Sequence, residues 1–237
     1  LSRILRIMCR CAVSGAWHAR ETMRLRRSAW KSGVALALGV AFVAHRARAL
    51  TSGGAALAVP IGALVHAGTG WRGSLALVAY VLTTSALGRL PSRTSRPQRR
   101  GSRRDRVQVL ANGGVPALAA ACAIGAPPFT LPYVLAAYAG AVATAAADSW
   151  STDVWIRYGG VPRSIVTLRP LPVGASGGAS AVGLLATWAG SAMVAVILST
   201  GKPPNNTGGV RGMFAATLLG GVAGSITDSL LGATIQE

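Results

Sequence analysis

Six acidic residues occur in a chain of 237, and three of them stand where acids are rare. Asp148, Asp153 and Asp228 lie inside or at the edge of long apolar runs. A carboxylate at the centre of a membrane helix costs roughly 2.5–3.5 kcal/mol on insertion scales. Such a group faces a protein interior or a wet cavity, where it can bind a cation, hold a metal or carry a proton. The plain alternative is that Asp148 and Asp153 end a helix among headgroups, where the cost is small. That alternative is weaker for Asp228, because Ser229 to Gln236 continue its helix.

Polar and small residues recur around these acids at helical spacing. Gly221, Ser225, Asp228, Gly232 and Gln236 form one stripe, and Gly140, Thr144, Asp148 and Thr152 form another. Two such stripes can pack against each other with a wet site between them. They also suit plain close packing, as does the pair Gly220 and Gly224. A glycine-rich stretch follows Pro172, with Gly174, Ser176, Gly177, Gly178 and Ser180 leading to Gly183. Backbone N–H groups at a helix N-terminus attract phosphate, and glycine lets phosphate approach the backbone. The Walker order is absent, since no Gly-Lys-Ser/Thr follows. A flexible linker would look similar. Finally, Arg106 opens an apolar segment that carries Gln108 and Asn112 on successive turns. Arginine beside a helix N-terminus suits phosphate as well.

The elements that must position these residues are membrane helices. The chain is 51% hydrophobic and 13% charged, with 24 Lys and Arg giving a formal net charge of +18. Mean hydropathy is +0.45. A soluble domain carries about 25% charged residues. Disorder requires low hydrophobicity. A nucleic-acid binder would spread its arginines over a polar surface rather than beside apolar runs. No charge falls between Arg106 and Asp148, a gap long enough for two spans of about 20 residues turning at Pro127-Pro128. The expected fold is an all-α, polytopic transmembrane bundle of about six to seven helices. Apolar segments read as helices at 33–46, 50–68, 73–90, 107–126, 130–149, 178–199 and 211–235, the first short for a crossing. Trp30, Trp71, Trp150 and Trp155 fall near proposed ends, as an aromatic belt requires. Cys9, Cys11 and Cys122 make no disulfide or zinc framework.

Arginine sets the orientation. The 89–106 connection carries eight Arg against Asp105, which places it on the cytosolic side or its equivalent. The 150–173 connection and the end of the last helix then share that side. Residues 1–32 form a basic tail that reads as a transit peptide, a lipid-contacting tail or a gene-modelling artefact. If 33–46 spans, the tail's eight basic residues fall on the opposite side. Four separated segments thus converge on one membrane face: 106–114, 148–153, 174–183 and 228–236. Acids can hold Mg²⁺ through one or two carboxylates with phosphate oxygens completing the shell. Such apparatus serves phosphoryl or nucleotidyl transfer, where catalysis is mostly positioning and charge neutralisation.

These four segments resemble the multi-pass membrane family of transmembrane protein 19 and the plant phytyl-phosphate (farnesyl-phosphate) kinases. The matching stretches are Arg106 to Gly114, Asp148 to Asp153, Pro172 to Gly178 and Gly221 to Gln236. They look closer to the transmembrane protein 19 branch, and the resemblance covers about 48–237. Two departures stand out. The family usually has Glu where this chain has Asp153, and Thr-Asn where it has Ala175-Ser176. Family members continue past the glutamine numbered 236 here, so the chain is expected to be a fragment.

The plant branch implies a nucleotide- and Mg²⁺-dependent kinase that converts an isoprenyl monophosphate to its diphosphate. By that resemblance Asp148, Asp153 and Asp228 bind Mg²⁺, and Gly174 to Ser180 cradle phosphate. Arg106 and Asn112 orient donor or acceptor, with CTP or ATP as donor. The expected partners are the lipid bilayer, an isoprenyl phosphate and a nucleotide, with no nucleic acid. The expected location is an integral membrane, either endoplasmic reticulum or plastid envelope in a eukaryote, or plasma membrane in a prokaryote. Two other readings stay open: a transporter or ion carrier using the intramembrane acids, and a non-catalytic membrane protein.

Overall fold

A computed structural model describes residues 28–91, 103–158, 161–167, 169–171, 177–200 and 209–235. Among the described residues, six helices are long and apolar enough to cross a membrane. They are α1 (Ser28–Arg46), α2 (Ser52–Arg89), α3 (Arg106–Gly125), α4 (Leu131–Tyr158), α5 (Ala181–Ser199) and α6 (Gly209–Ile235). Between α4 and α5, β1 (Arg163–Ser164) and β2 (Gly178–Ala179) form a short antiparallel ladder.

The second helix is a hairpin. A straight helix of 38 residues would hold its ends about 57 Å apart. Yet Arg89, its last residue, donates from Nη2 to the carbonyl of Ala47, just before its first turn. The reversal occurs at Gly70, whose φ of 71° and ψ of −164° are open to glycine and strained for other residues. His66 and Ser74 bond across the turn, Nδ1 to Oγ, at 3.0 Å. The connection expected at 69–72 therefore shrinks to a single residue, and the described residues form seven helical rods.

Other boundaries also move. The segment expected at 33–46 runs from Ser28 to Arg46, 19 residues or about 28 Å. It lies along the whole first arm of α2. At one end Ser32 Oγ meets His66 Nε2 at 3.2 Å, and at the other Ala44 packs with Leu50, Ala55 and Ala58. It is as long as its neighbour, not a short re-entrant piece. Helix α4, expected to stop at 149, continues to Tyr158. Its length of about 42 Å exceeds a hydrocarbon core of about 30 Å. Helix α5 starts at Ala181, because Ser180 caps it by accepting from Gly183 N at 3.0 Å.

The bundle keeps its small side chains inside and many of its large ones outside. Ala139, Ala143, Ala146 and Ala147 on α4 are fully buried, whereas Phe42, Leu82, Leu118 and Leu185 are exposed. Against lipid, helix association gains from close packing rather than from burying apolar surface, and small residues let backbones approach. Helix α4 sits centrally and packs on α2, α3, α5 and α6.

Candidate functional site

The α4/α6 seam is built by glycines that leave no room for a side chain. A Cβ on Gly220 would come 3.9 Å from Gly140 Cα, and one on Gly221 would come 2.6 Å from Ala143 Cβ. A Cβ on Gly224 would collide with Thr144 Oγ1 at 2.1 Å. Contacts advance together in both helices, so α4 and α6 run in the same direction. One turn beyond the Gly224–Thr144 contact come Asp228 and Asp148. In angle Asp228 falls between Gly221 and Gly224, so it faces the seam, and it is exposed. Asp148 is half-buried at the seam's edge. The seam therefore opens where the two acids stand.

Asp153 belongs elsewhere. It follows Asp148 by five residues, which on one helix is about 140° of rotation. It ion-pairs instead with Arg157, one turn on, at 3.4 Å. Among the described residues no group of three His, Cys, Asp or Glu side chains is placed to hold a metal ion. The three aspartates expected as one metal set are thus divided, Asp148 and Asp228 at the seam and Asp153 on another side of α4. The seam pair fits a cation bound by one or two carboxylates with ligand oxygens completing the shell. It does not fit a cage made by protein alone.

Arg157 is the residue that sequence reasoning missed. Its side chain has no exposed surface. Its Nε donates to Leu90 O at the end of α2 (3.1 Å), and its Nη1 donates to the Asp153 carbonyl. Its Nη2 is buried with no hydrogen-bond partner among the described residues. A buried, incompletely paired guanidinium is costly, and planar arginine suits phosphate or carboxylate. In the sequence the signal is an Asp–Arg pair at i, i+4, which charge counting alone does not separate from membrane topology.

At the start of α3 the arginine that turns inward is Arg104, not Arg106. Arg106 is exposed, with its Cβ near Gly53. Arg104 is pinned to the α1–α2 turn, its N–H donating to Ala49 O and its carbonyl accepting from Thr51 N. Its Nη1 donates to Tyr80 Oη at 3.0 Å, and Tyr80 Oη shares a hydrogen bond with Ser149 Oγ at 3.3 Å. Ser149 is the residue after Asp148. A polar chain thus joins the α3 entrance to the acidic turn of α4. Asn112 is half-buried on α3, one turn after Gln108.

The described part of the glycine-rich stretch is occupied by packing. Gly177 has φ +72°, and a Cβ there would lie 2.4 Å from Ala233 Cβ on α6. Its carbonyl accepts from Ile165 N, and Gly178 pairs with Ser164 in the ladder. The Ser180 hydroxyl is the α5 cap. These residues therefore clamp the loop onto α6, which leaves fewer backbone donors for an anion than their composition implied. Gly174, Ser176 and Gln236 lie outside the described residues. The four segments nevertheless meet at one end of the bundle. Arg104 reaches α4 through Tyr80, Gly183 packs near Ser151 and Trp155, and Gly177 touches α6.

Comparison with known proteins gives a consistent kinship. An uncharacterized membrane protein of Synechocystis is 31% identical over 216 residues, covering 88% of this chain and 81% of its own. Protein PGR of Arabidopsis thaliana is 26% identical over 203 residues, covering 73% of this chain and 67% of its own. An uncharacterized membrane protein of Methanocaldococcus jannaschii is 28% identical over 162 residues, covering 66% of this chain and 64% of its own. No solved structure matches. The family model described as integral membrane protein DUF92 matches residues 35–237. With that match spanning every helix from α2 to α6 and most of α1, the chain belongs to the DUF92 family of integral membrane proteins.

Proposed function

We propose that this membrane protein is a nucleotide- and Mg²⁺-dependent kinase of isoprenyl monophosphates, acting at the arginine-rich face. The observation that carries the reading is the gathering of its scarce polar groups at one end of the bundle. There Asp148 and Asp228 stand at the α4/α6 seam, and Arg104 turns inward from the start of α3. The resemblance of the same segments to the plant phytyl-phosphate kinases supports it.

In this reading an oxygen of the lipid monophosphate attacks the terminal phosphorus of CTP or ATP. The bond from that phosphorus to the bridging oxygen breaks, leaving an isoprenyl diphosphate and a nucleoside diphosphate. The acceptor is already anionic, so no general base is needed. The chain's task is to position two anions and neutralise their charge. Asp148 and Asp228 would hold Mg²⁺, which when bound screens the phosphate oxygens. Arg104 would steady the acceptor from the α3 side.

The test is direct. Protein purified in detergent, supplied with Mg²⁺, CTP or ATP and phytyl or farnesyl phosphate, should form the diphosphate. Asp148→Asn should lower kcat about a hundredfold or more while leaving the melting temperature within a few degrees. Full turnover by that variant would remove Asp148 from the reaction. Cation flux in proteoliposomes without diphosphate formation would favour a carrier instead.

A further inference from the structure

A groove lies between α1, the two arms of α2, and α3, apart from the α4/α6 seam. It holds about 790 Å³ of empty space, part of it open to the surroundings. Its walls are aliphatic, with Leu36, Val40, Ile61, Val65, Leu77 and Val81 among them. On α1 the lining runs from Leu36 to Ala44, about 12 Å of helix.

The two ends differ in chemistry. At one end stands Arg104, with Gln108 and Asn112 following along α3, and among the described residues Arg104 is the charged one in the lining. The arginine is held there by its hydrogen bond to Tyr80 and by its stacking over the Tyr80 ring at 5.2 Å. At the other end the groove reaches Ser74, which bonds to His66, and His66 is held in turn by Ser32. One cation beside an aliphatic trough matches a molecule with an anionic head and an apolar chain.

We infer that this groove holds the chain of a single-tailed isoprenyl monophosphate, with its phosphate at Arg104, Gln108 and Asn112. The inference rests on the proposed activity for the identity of the lipid, and it adds where the lipid sits. The Arg104–Tyr80–Ser149 chain then places the acceptor phosphate on the α3 side of the acidic turn, with the nucleotide entering from the seam side. It also gives Asn112 and Gln108 a role as donors to the lipid phosphate rather than to the nucleotide.

The test uses the full chain in nanodiscs and a farnesyl monophosphate bearing a photoreactive diazirine on its chain. Irradiation should label Val65, Leu77 or Val81, as read by mass spectrometry. Ala58→Phe, which fills the groove, should cut labelling at least tenfold, whereas Leu118→Phe on the exposed face of α3 should not. Arg104→Gln should weaken competition by unlabelled farnesyl phosphate about tenfold or more, leaving competition by farnesol unchanged. Labels spread over exposed residues of α4–α6, or equal competition by phosphatidic acid, would mean ordinary bilayer lipid and would overturn the inference. If Ala58→Phe melts early, Ala41→Leu gives the same blockade with a smaller side chain. Groove labelling without any diphosphate product would sink the kinase and keep the site. Diphosphate formation that survives a blocked groove would sink the site and keep the kinase.

Discussion

Between α4, α5 and α6 the contacts are made by glycine, alanine and serine. Gly190 lies against the Ala146 carbonyl, Gly221 lies against Ala143, and Ser191 Oγ donates to Leu218 O at 2.8 Å. Between α1, α2 and α3 a few close contacts, such as Gly68 on Ala120 and Gly62 on Ala37, surround aliphatic side chains that leave a groove. Small residues bring backbones together and leave nothing between them. Larger aliphatic residues hold helices apart and leave space. The first half is suited to fixing the position of charges, and the second to admitting a flexible apolar molecule.

That contrast can be broken from either side. The largest effect is expected at the α4 end. Arg157→Leu removes the buried guanidinium and its ion pair with Asp153. The loss should be about 3 kcal/mol, near the lower end for buried pairs because Asp153 is partly exposed. Thermal unfolding in detergent measures it, and Asp153→Asn in the Arg157→Leu background should recover part of the loss. No recovery would mean that the guanidinium acts through its bonds to the Leu90 and Asp153 carbonyls.

Next comes the seam. Gly221→Val forces a Cβ to 2.2 Å from Ser191 Oγ and should cost about 1–3 kcal/mol by overpacking. A smaller loss follows from Ser74→Ala, which deletes the bond to His66 at the closed end of the groove and should cost about 1 kcal/mol. The smallest change is expected at Ala58→Leu. It adds volume where there is space, so stability should stay within about 1 kcal/mol of the parent, with a gain as acceptable as a loss. If Ala58→Leu were as harmful as Gly221→Val, the two halves would be packed alike and the contrast would fail.

Much of the architecture was legible in the residues. The scarcity of charge identified the bundle, and the segments predicted at 107–126 and 211–235 fall within two residues of α3 and α6 at the ends that the structure describes. The misjudged boundaries have local causes. Hydropathy ends α4 at Asp148, but a helix continues through polar residues when its end leaves the hydrocarbon. Once α4 is known to reach Tyr158, the five-residue spacing of Asp148 and Asp153 already separates them around the helix. The glycines near 177 were read as ligand contacts, because composition alone does not separate a bare backbone facing a phosphate from one facing Ala233.

By itself the sequence determined the class, the helical periods, the side on which arginine concentrates and the short inventory of groups able to do chemistry. These are one-dimensional properties, set by hydrophobicity and by the 3.6-residue turn. Only the tertiary structure decided the pairings. The parallel register of α4 and α6 brings Asp228 toward Asp148, the turn at Gly70 brings Arg89 to Ala47, and the burial of Arg157 ties the end of α4 to Leu90 at the end of α2. Each depends on which neighbour stands across a helix face, and helical spacing along one chain does not specify that neighbour.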